Sequence, residues 1–146
     1  MKNLISTIAA IFMIVVLSLT SCTVGPQKIK IGVDVCSSCR MSIADNRFGA
    51  EIVTKKGKVY IFDDIHCLTG FMKANTIDNK EIKNTYFVDF NEPHDLIESG
   101  QAFLMKSTQL RSPMGGNIAA FSSQDQLNAA SGKLSGEQVT LEGITK

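Results

Sequence analysis

Residues 36–41, Cys-Ser-Ser-Cys-Arg-Met, bring two thiols and a thioether into one short segment of a 146-residue chain with four cysteines and six methionines. Three kinds of chemistry fit such a segment: a zinc site, a redox pair, or a site for a soft metal ion. A structural zinc site takes four Cys or His ligands, and the fourth would be His66 or His94. His66 and Cys67 are neighbours on an expected helix, about 100° apart around its axis. They are poorly placed to hold one ion together, and no second spaced cysteine pair occurs. A thioredoxin-type redox pair, Cys36 with Cys39, would open a helix after a buried strand, where the helix N-terminus lowers the thiol pKa. The strand-like "IKIGVDV" does precede Cys36, but a hairpin pattern follows where a strand–helix–strand crossover is needed. Thiolate and thioether donors select Cu(I), a soft ion, and Cys36, Cys39 and Met41 supply three sulfurs. Met114, between Pro113 and two glycines, is a loop residue open to two readings, core filler or ligand. Met72 and Met105 fit core positions.

The compartment bears on which chemistry holds. Lys2, an apolar run over Ile8–Leu17 and small or polar residues before Cys22 follow the order of a secretory signal peptide. The apolar run, which includes Met13, is about half the ~20 residues of a membrane-spanning helix. Leu19-Thr20-Ser21-Cys22 resembles the lipobox of bacterial lipoproteins, which implies a signal peptide over 1–21 and a diacylated, N-acylated Cys22. Each buried acyl methylene contributes ~0.8 kcal/mol, so two or more chains hold a protein to a bilayer. Residues 22–30 then form a lipidated tether, and residues 31–146 a single domain. Cys36, Cys39 and Cys67 remain, an odd number, so a disulfide framework leaves one thiol over. With 15 Lys and Arg against 14 Asp and Glu, nothing in the charge favours nucleic acid as a partner.

The elements that must position these residues begin at Phe48. Ala50–Thr54 and Lys58–Phe62 pattern as strands joined by a Gly57 turn. Asp63 or Asp64 caps a helix through Ile65, Leu68, Phe71 and Met72. "NTYFVDF" is a further strand, with Tyr86, Val88 and Phe90 alternating. The second half repeats the order more faintly: strands at "QAFLMKS" and "NIAAFSS", a short helix over Ser122–Ala130 starting at Ser122 or Ser123, and a closing strand in "EQVTLEG". Two strand–strand–helix–strand units sharing one core, with mostly antiparallel sheet, make an α+β domain.

"CSSCRMSIADNRFGAEIVTKKGKVYIFDDIHCL" and "HDLIESGQAFLMKSTQLRSPMGGNIAAF" together resemble the NosL family of bacterial lipoproteins, associated with copper delivery to nitrous oxide reductase. The resemblance spans nearly the whole mature chain and rests on the cysteine pair followed by a methionine, "FDD" before a helix, and "SPMG" before "AF". It implies Cu(I) as the bound ion, with Cys36, Cys39, Met41 and Met114 as ligands and Asp63, Asp64, His66 and Cys67 in supporting roles. It also implies a paired strand–strand–helix–strand fold. The family pattern has glycine where this chain has Arg40; a side chain there lacks glycine's backbone freedom, so the turn is expected to differ and to aim Met41 elsewhere.

These readings lead to a membrane-anchored Cu(I) metallochaperone on the extracytoplasmic side, passing copper to a client cuproenzyme or a membrane copper-transfer complex. No nucleophile, base and orienting group form a recognisable motif, so no enzyme is expected. The runner-up is a thiol–disulfide oxidoreductase using Cys36 and Cys39, with Cys67 as a third thiol. Lipoprotein cysteines that only stabilise their loop are the third possibility.

Overall fold

A computed structural model of the chain describes residues 25–146; the signal-peptide reading and the lipidated Cys22 lie outside the described residues. Strand β1 (Ala50–Thr54) and strand β2 (Val59–Phe62) pair antiparallel around a turn in which Gly57 takes φ 91°, an angle that favours glycine. The chain then enters helix α1 (Ile65–Lys73). Asp64 remains extended and its carboxylate accepts the His66 N–H, a cap that stabilises a helix by ~1 kcal/mol. Strand β3 (Ile82–Val88) returns beside β1, and β4 (Leu96–Glu98) adds to β3, giving the order β2-β1-β3-β4.

The second unit repeats the first. Strands β5 (Phe103–Lys106) and β6 (Ile118–Phe121), helix α2 (Gln124–Leu134, capped by Ser123) and β7 (Glu137–Val139) form a sheet of order β6-β5-β7. That order matches β2-β1-β3 strand for strand. The expected α+β architecture of two strand–strand–helix–strand units is present, and the strand pairs within both sheets are antiparallel. The units are joined where Phe90 N–H donates to the Ala120 carbonyl at 2.8 Å.

One core lies between the sheets. Ala50, Ile52, Phe62 and Phe87 from the first sheet meet Leu104, Ile118 and Ala120 from the second, with Ile65, Leu68 and Phe71 of α1 packed among them. Met105, Ala119 and Phe121 point the other way, toward Leu127 of α2 and Phe48. Met105 is fully buried and Met72 packs at the core's edge, as their spacing suggested. On the outer face of the first sheet, Ile61 and Val88 are covered by Ile29 and Ile43 of the N-terminal segment.

That second covered face explains a departure from expectation. In β3 the neighbours Phe87 and Val88 are both buried, whereas Tyr86, and Phe90 just beyond the strand, are half-buried. A strand covered on both sides loses the apolar–polar alternation that marks a half-exposed one. Two further differences are local. β4 carries too short a run to signal itself. "EQVTLEG" divides after Val139, because the Thr140 hydroxyl accepts the Gly143 N–H and starts helix α3 (Leu141–Thr145).

The same outer face holds an unusual charge. Glu51, on β1, is fully buried; its Oε2 accepts the Gln27 N–H at 3.1 Å and its Oε1 has no partner. Burial pushes this carboxyl up to about 7. Gln27 and Ile29 thus already belong to the fold, within the stretch expected to be tether.

Candidate metal site

Three segments converge at the N-terminal end of α1. The cysteine loop is stapled to β2: Ser37 N–H donates to the Ile61 carbonyl at 2.7 Å, and Ile61 N–H donates back to Ser37 Oγ at 3.2 Å. Within the loop, Cys36 N–H donates to the Met41 carbonyl and Arg40 N–H to the Cys36 carbonyl, closing a tight turn. Arg40 takes φ 67°. The turn therefore adopts the left-handed angle that glycine favours, in place of the altered turn expected from an arginine there. Left-handed backbone costs an L-residue about 1 kcal/mol.

From β2 the chain runs directly through Phe62 and Asp63 into α1, whose third residue is Cys67. One potential ligand atom from each of Cys36, Cys39, Asp63 and Cys67 lies within 4.8 Å of the other three. Cys39 Sγ is 3.7 and 3.8 Å from the two Asp63 carboxylate oxygens. Cys36, Asp63 and Cys67 are buried, and Cys39 is the half-exposed member through which the cluster meets solvent. The three cysteines are free thiols.

The electrostatics require a cation or protons. Three thiolates and a carboxylate would place four negative charges in a desolvated space, and no ion pair among the described residues involves Asp63. Burial accordingly raises the Cys36 thiol above its ordinary pKa, as it does Cys67, where hydrogen bonding to Asp63 adds to the effect. A residue in the first turn of a helix normally has its thiolate favoured; for Cys67, burial overrides that. Without a metal, the thiols of Cys36 and Cys67 hold their protons. A metal ion would displace them, since ligation needs the thiolate.

Asp64 does a different job from Asp63. Its Oδ1 accepts the His66 N–H at 2.8 Å and its Oδ2 accepts the Met114 N–H at 2.9 Å. One buried carboxylate therefore caps α1 and clamps the Ser112–Asn117 loop to it. Gly116 makes the close approach possible: a Cβ there would sit 2.6 Å from His66 Cβ and 2.8 Å from Asp64 Oδ1. Ser112 and Asn117 close the loop with reciprocal bonds between backbone and side chain.

Of the residues singled out in the sequence, Cys36, Cys39, Cys67 and Asp63 come together. Met114 is held against α1 by its backbone while its side chain is exposed, and Met41 is exposed at the end of the cysteine turn. His66 is exposed and lines a cleft of about 810 Å³ beside the site; it takes no part in the cluster. His94 lies apart, its Nδ1 3.0 Å from the Asp89 carbonyl. The weight given to Cys67 and Asp63 therefore changes, from supporting residues to members of a four-donor group. The fourth member of the group is a carboxylate and not the histidine expected for zinc, and "FDD" so close to "HC" is its signal in the sequence.

A comparison with known protein families matches this chain to NosL over residues 28–146. A search of curated proteins finds no match. Among solved structures, the crystal structure of the copper chaperone NosL from Shewanella denitrificans is similar, with a TM-score of 0.71 and 22% sequence identity. The alignment covers 84% of this chain and 97% of that one.

Proposed function

Because the chain belongs to the NosL family, we propose that it is an extracytoplasmic Cu(I) chaperone, lipid-anchored through Cys22, that delivers copper for nitrous oxide reductase assembly. The observation that carries the reading is the convergence of three thiols and one carboxylate, each offering a ligand atom within 4.8 Å of the others. Sulfur donors select Cu(I) over harder ions. The cargo would be held by Cys36, Cys39 and Cys67, with the Asp63 carboxylate beside the Cys39 thiol placed to relay its proton during loading. Met41 and Met114 are proposed as thioether ligands that receive or release the ion at the solvent side. Both are exposed; Met41 ends the cysteine turn, and Met114 is held to α1 by its backbone bond to Asp64.

Release proceeds by ligand exchange. An incoming ligand from the acceptor reaches Cys39 first, because the other cluster members are buried. Each bond to the chaperone is replaced singly, so the ion is never without donors, and returning protons to Cys36 and Cys67 stabilises the emptied site. Anchoring to the membrane raises the effective concentration of a membrane-bound partner.

Thiol–disulfide exchange is the alternative that the three neighbouring thiols allow. It calls for an accessible thiol of low pKa, whereas burial raises both Cys36 and Cys67. The experiment is an anaerobic titration of the reduced chain with Cu(I) against a chromophoric chelator, alongside Cys36→Ser/Cys39→Ser, Cys67→Ser and Met114→Ala, with Zn(II) as competitor. Weakened Cu(I) binding in all three variants, without displacement by Zn(II), is expected. Unchanged binding in the double cysteine variant would overturn the proposal. For the client, deletion of the gene is expected to leave nitrous oxide unreduced, restored by the native chain but not by the double cysteine variant.

A further inference from the structure

Large apolar side chains exposed on the described surface are confined to the two loops at the metal site. They are Ile31, Val33, Val35 and Met41, at 46, 70, 51 and 47% exposure, and Met114 at 36%. The first four belong to one small projection. Gly32 N–H bonds to the Ile43 carbonyl, Ile43 N–H to the Asp34 carbonyl, and Val35 bridges Ser42, so residues 30–43 form a stiff, hairpin-like finger. Such a concentration of exposed apolar side chains marks an interaction surface.

Its charge is mainly positive. Lys28, Lys30 and Arg40 are exposed around these side chains. The acid within the finger, Asp34, is half-buried and accepts the Lys30 N–H at 2.7 Å. Apolar tips among exposed cations match the interface of an anionic bilayer, where acyl chains take the former and headgroups the latter.

The length of chain before the fold points to the same occupant. Gln27 is fixed by its bond to Glu51, and Ile29 is buried. From Cys22 to Gln27 the backbone spans at most about 18 Å when fully extended. A chain held to lipid through Cys22 thus keeps Gln27 and Ile29 close to the headgroups, and the finger begins only a few residues later.

We infer that the 30–43 finger docks on the surface of an anionic membrane, with Val33 and Val35 entering the headgroup–acyl boundary. The inference rests on the lipid-anchor reading for the tether argument; the patch and its charge stand without it. Docking orients the domain as well as confining it. Cys39 and Met41, on the same finger, are held at the bilayer surface, facing a copper donor or acceptor embedded in that membrane.

The chain contains no tryptophan, so Val33→Trp in the full chain is a unique reporter, with Ala129→Trp on the exposed side of α2 as control. Each is mixed with vesicles of phosphatidylglycerol and brominated phosphatidylcholine, and with brominated phosphatidylcholine alone. Sedimentation and N-terminal mass spectrometry report anchoring separately. A group ~5–10 Å into the interface is within reach of brominated acyl chains. The tryptophan at position 33 is expected to shift to the blue and lose roughly half its emission on anionic vesicles, with the control unchanged. Lys28→Glu/Lys30→Glu in the Val33→Trp background should restore most of that emission.

A lipidated chain that sediments with vesicles while the reporter remains unquenched would overturn docking and leave the anchor intact. An unlipidated chain whose reporter is quenched on anionic vesicles would remove the anchor and support docking. A blue shift that appears without vesicles and grows with protein concentration would assign the finger to a second copy of the chain and overturn the inference.

Discussion

Glu51→Gln should make the stability of the fold far less dependent on pH. The carboxyl of Glu51 is raised from 4.5 to about 7 by burial on the outer face of the first sheet. At ~1.36 kcal/mol per pH unit, that difference amounts to at most about 3 kcal/mol. The sign follows from which state gives up its proton first. Below pH 4.5 both folded and unfolded chains are protonated and stability is fully present. Between pH 4.5 and about 7 the unfolded chain ionises while the folded one resists, so stability falls; above that both are ionised and the loss is complete. Gln removes the ionisation, and its side-chain oxygen can still accept the Gln27 N–H that Glu51 Oε2 accepts. Urea unfolding of the reduced, metal-free protein at pH 5, 6, 7 and 8 measures this. The variant's advantage over the native chain should grow by about 2–3 kcal/mol from pH 5 to pH 8. An advantage that is the same at both ends would show that Glu51 titrates like a solvated carboxylate, and would refute the assignment of a buried, half-satisfied charge beneath the N-terminal segment.

Arg40→Gly should raise thermal stability by up to about 1 kcal/mol, because it relieves a left-handed residue; a loss in calorimetry would mean that the arginine side chain stabilises the turn. Asp64→Ala should remove about 1 kcal/mol of helix capping together with the Met114 backbone bond, read as faster amide exchange at both His66 and Met114. Gly116→Ala should force the Ser112–Asn117 loop off α1, destabilising the chain by about 1–3 kcal/mol through overpacking. In a chelator competition it should lower Cu(I) affinity as far as Met114→Ala does. Apparent Cu(I) affinity should rise about tenfold per pH unit for each protonated thiol that becomes a ligand. Burial raises both Cys36 and Cys67, so a flat profile from pH 6 to 8 would exclude both as ligands.

Asp63 and Asp64 are carboxylates adjacent in the chain but different in role. Asp63 follows Phe62, whose side chain enters the core, and its carboxylate meets the Cys39 thiol. Asp64, one residue on, has both oxygens engaged by backbone N–H groups of α1 and the Met114 loop. Loss of Asp63 should therefore change the chemistry of the cluster, while loss of Asp64 should change the geometry of the loops around it.

Local physics made much of this molecule legible. Gly57 in a polar linker between two apolar runs specified the first hairpin, and an aspartate before Ile65, Leu68 and Phe71 specified the start and inner face of α1. Cys36, Cys39 and Met41 pointed to metal or redox chemistry because their proximity is covalent. Strand β4 and helix α3 carry no signal in the sequence because each is only a few residues long and relies on a neighbour, β3 for one and the Thr140 hydroxyl for the other. Alternation of Tyr86, Val88 and Phe90 does not mark the buried face of β3, because alternation reports a strand exposed on one side, and Ile29 and Ile43 cover the other.

The sequence by itself determined the repeated order of elements and the sulfur-rich segment of Cys36, Cys39 and Met41, since these follow from spacing and residue type within single segments. Only the tertiary structure decided which donors meet. Asp63 and Cys67 join Cys36 and Cys39 because Ser37 staples the cysteine loop to β2, the strand that leads into α1. Met114 is held nearby because Asp64 reaches a backbone N–H fifty positions away. Such contacts depend on packing between elements that no local pattern encodes.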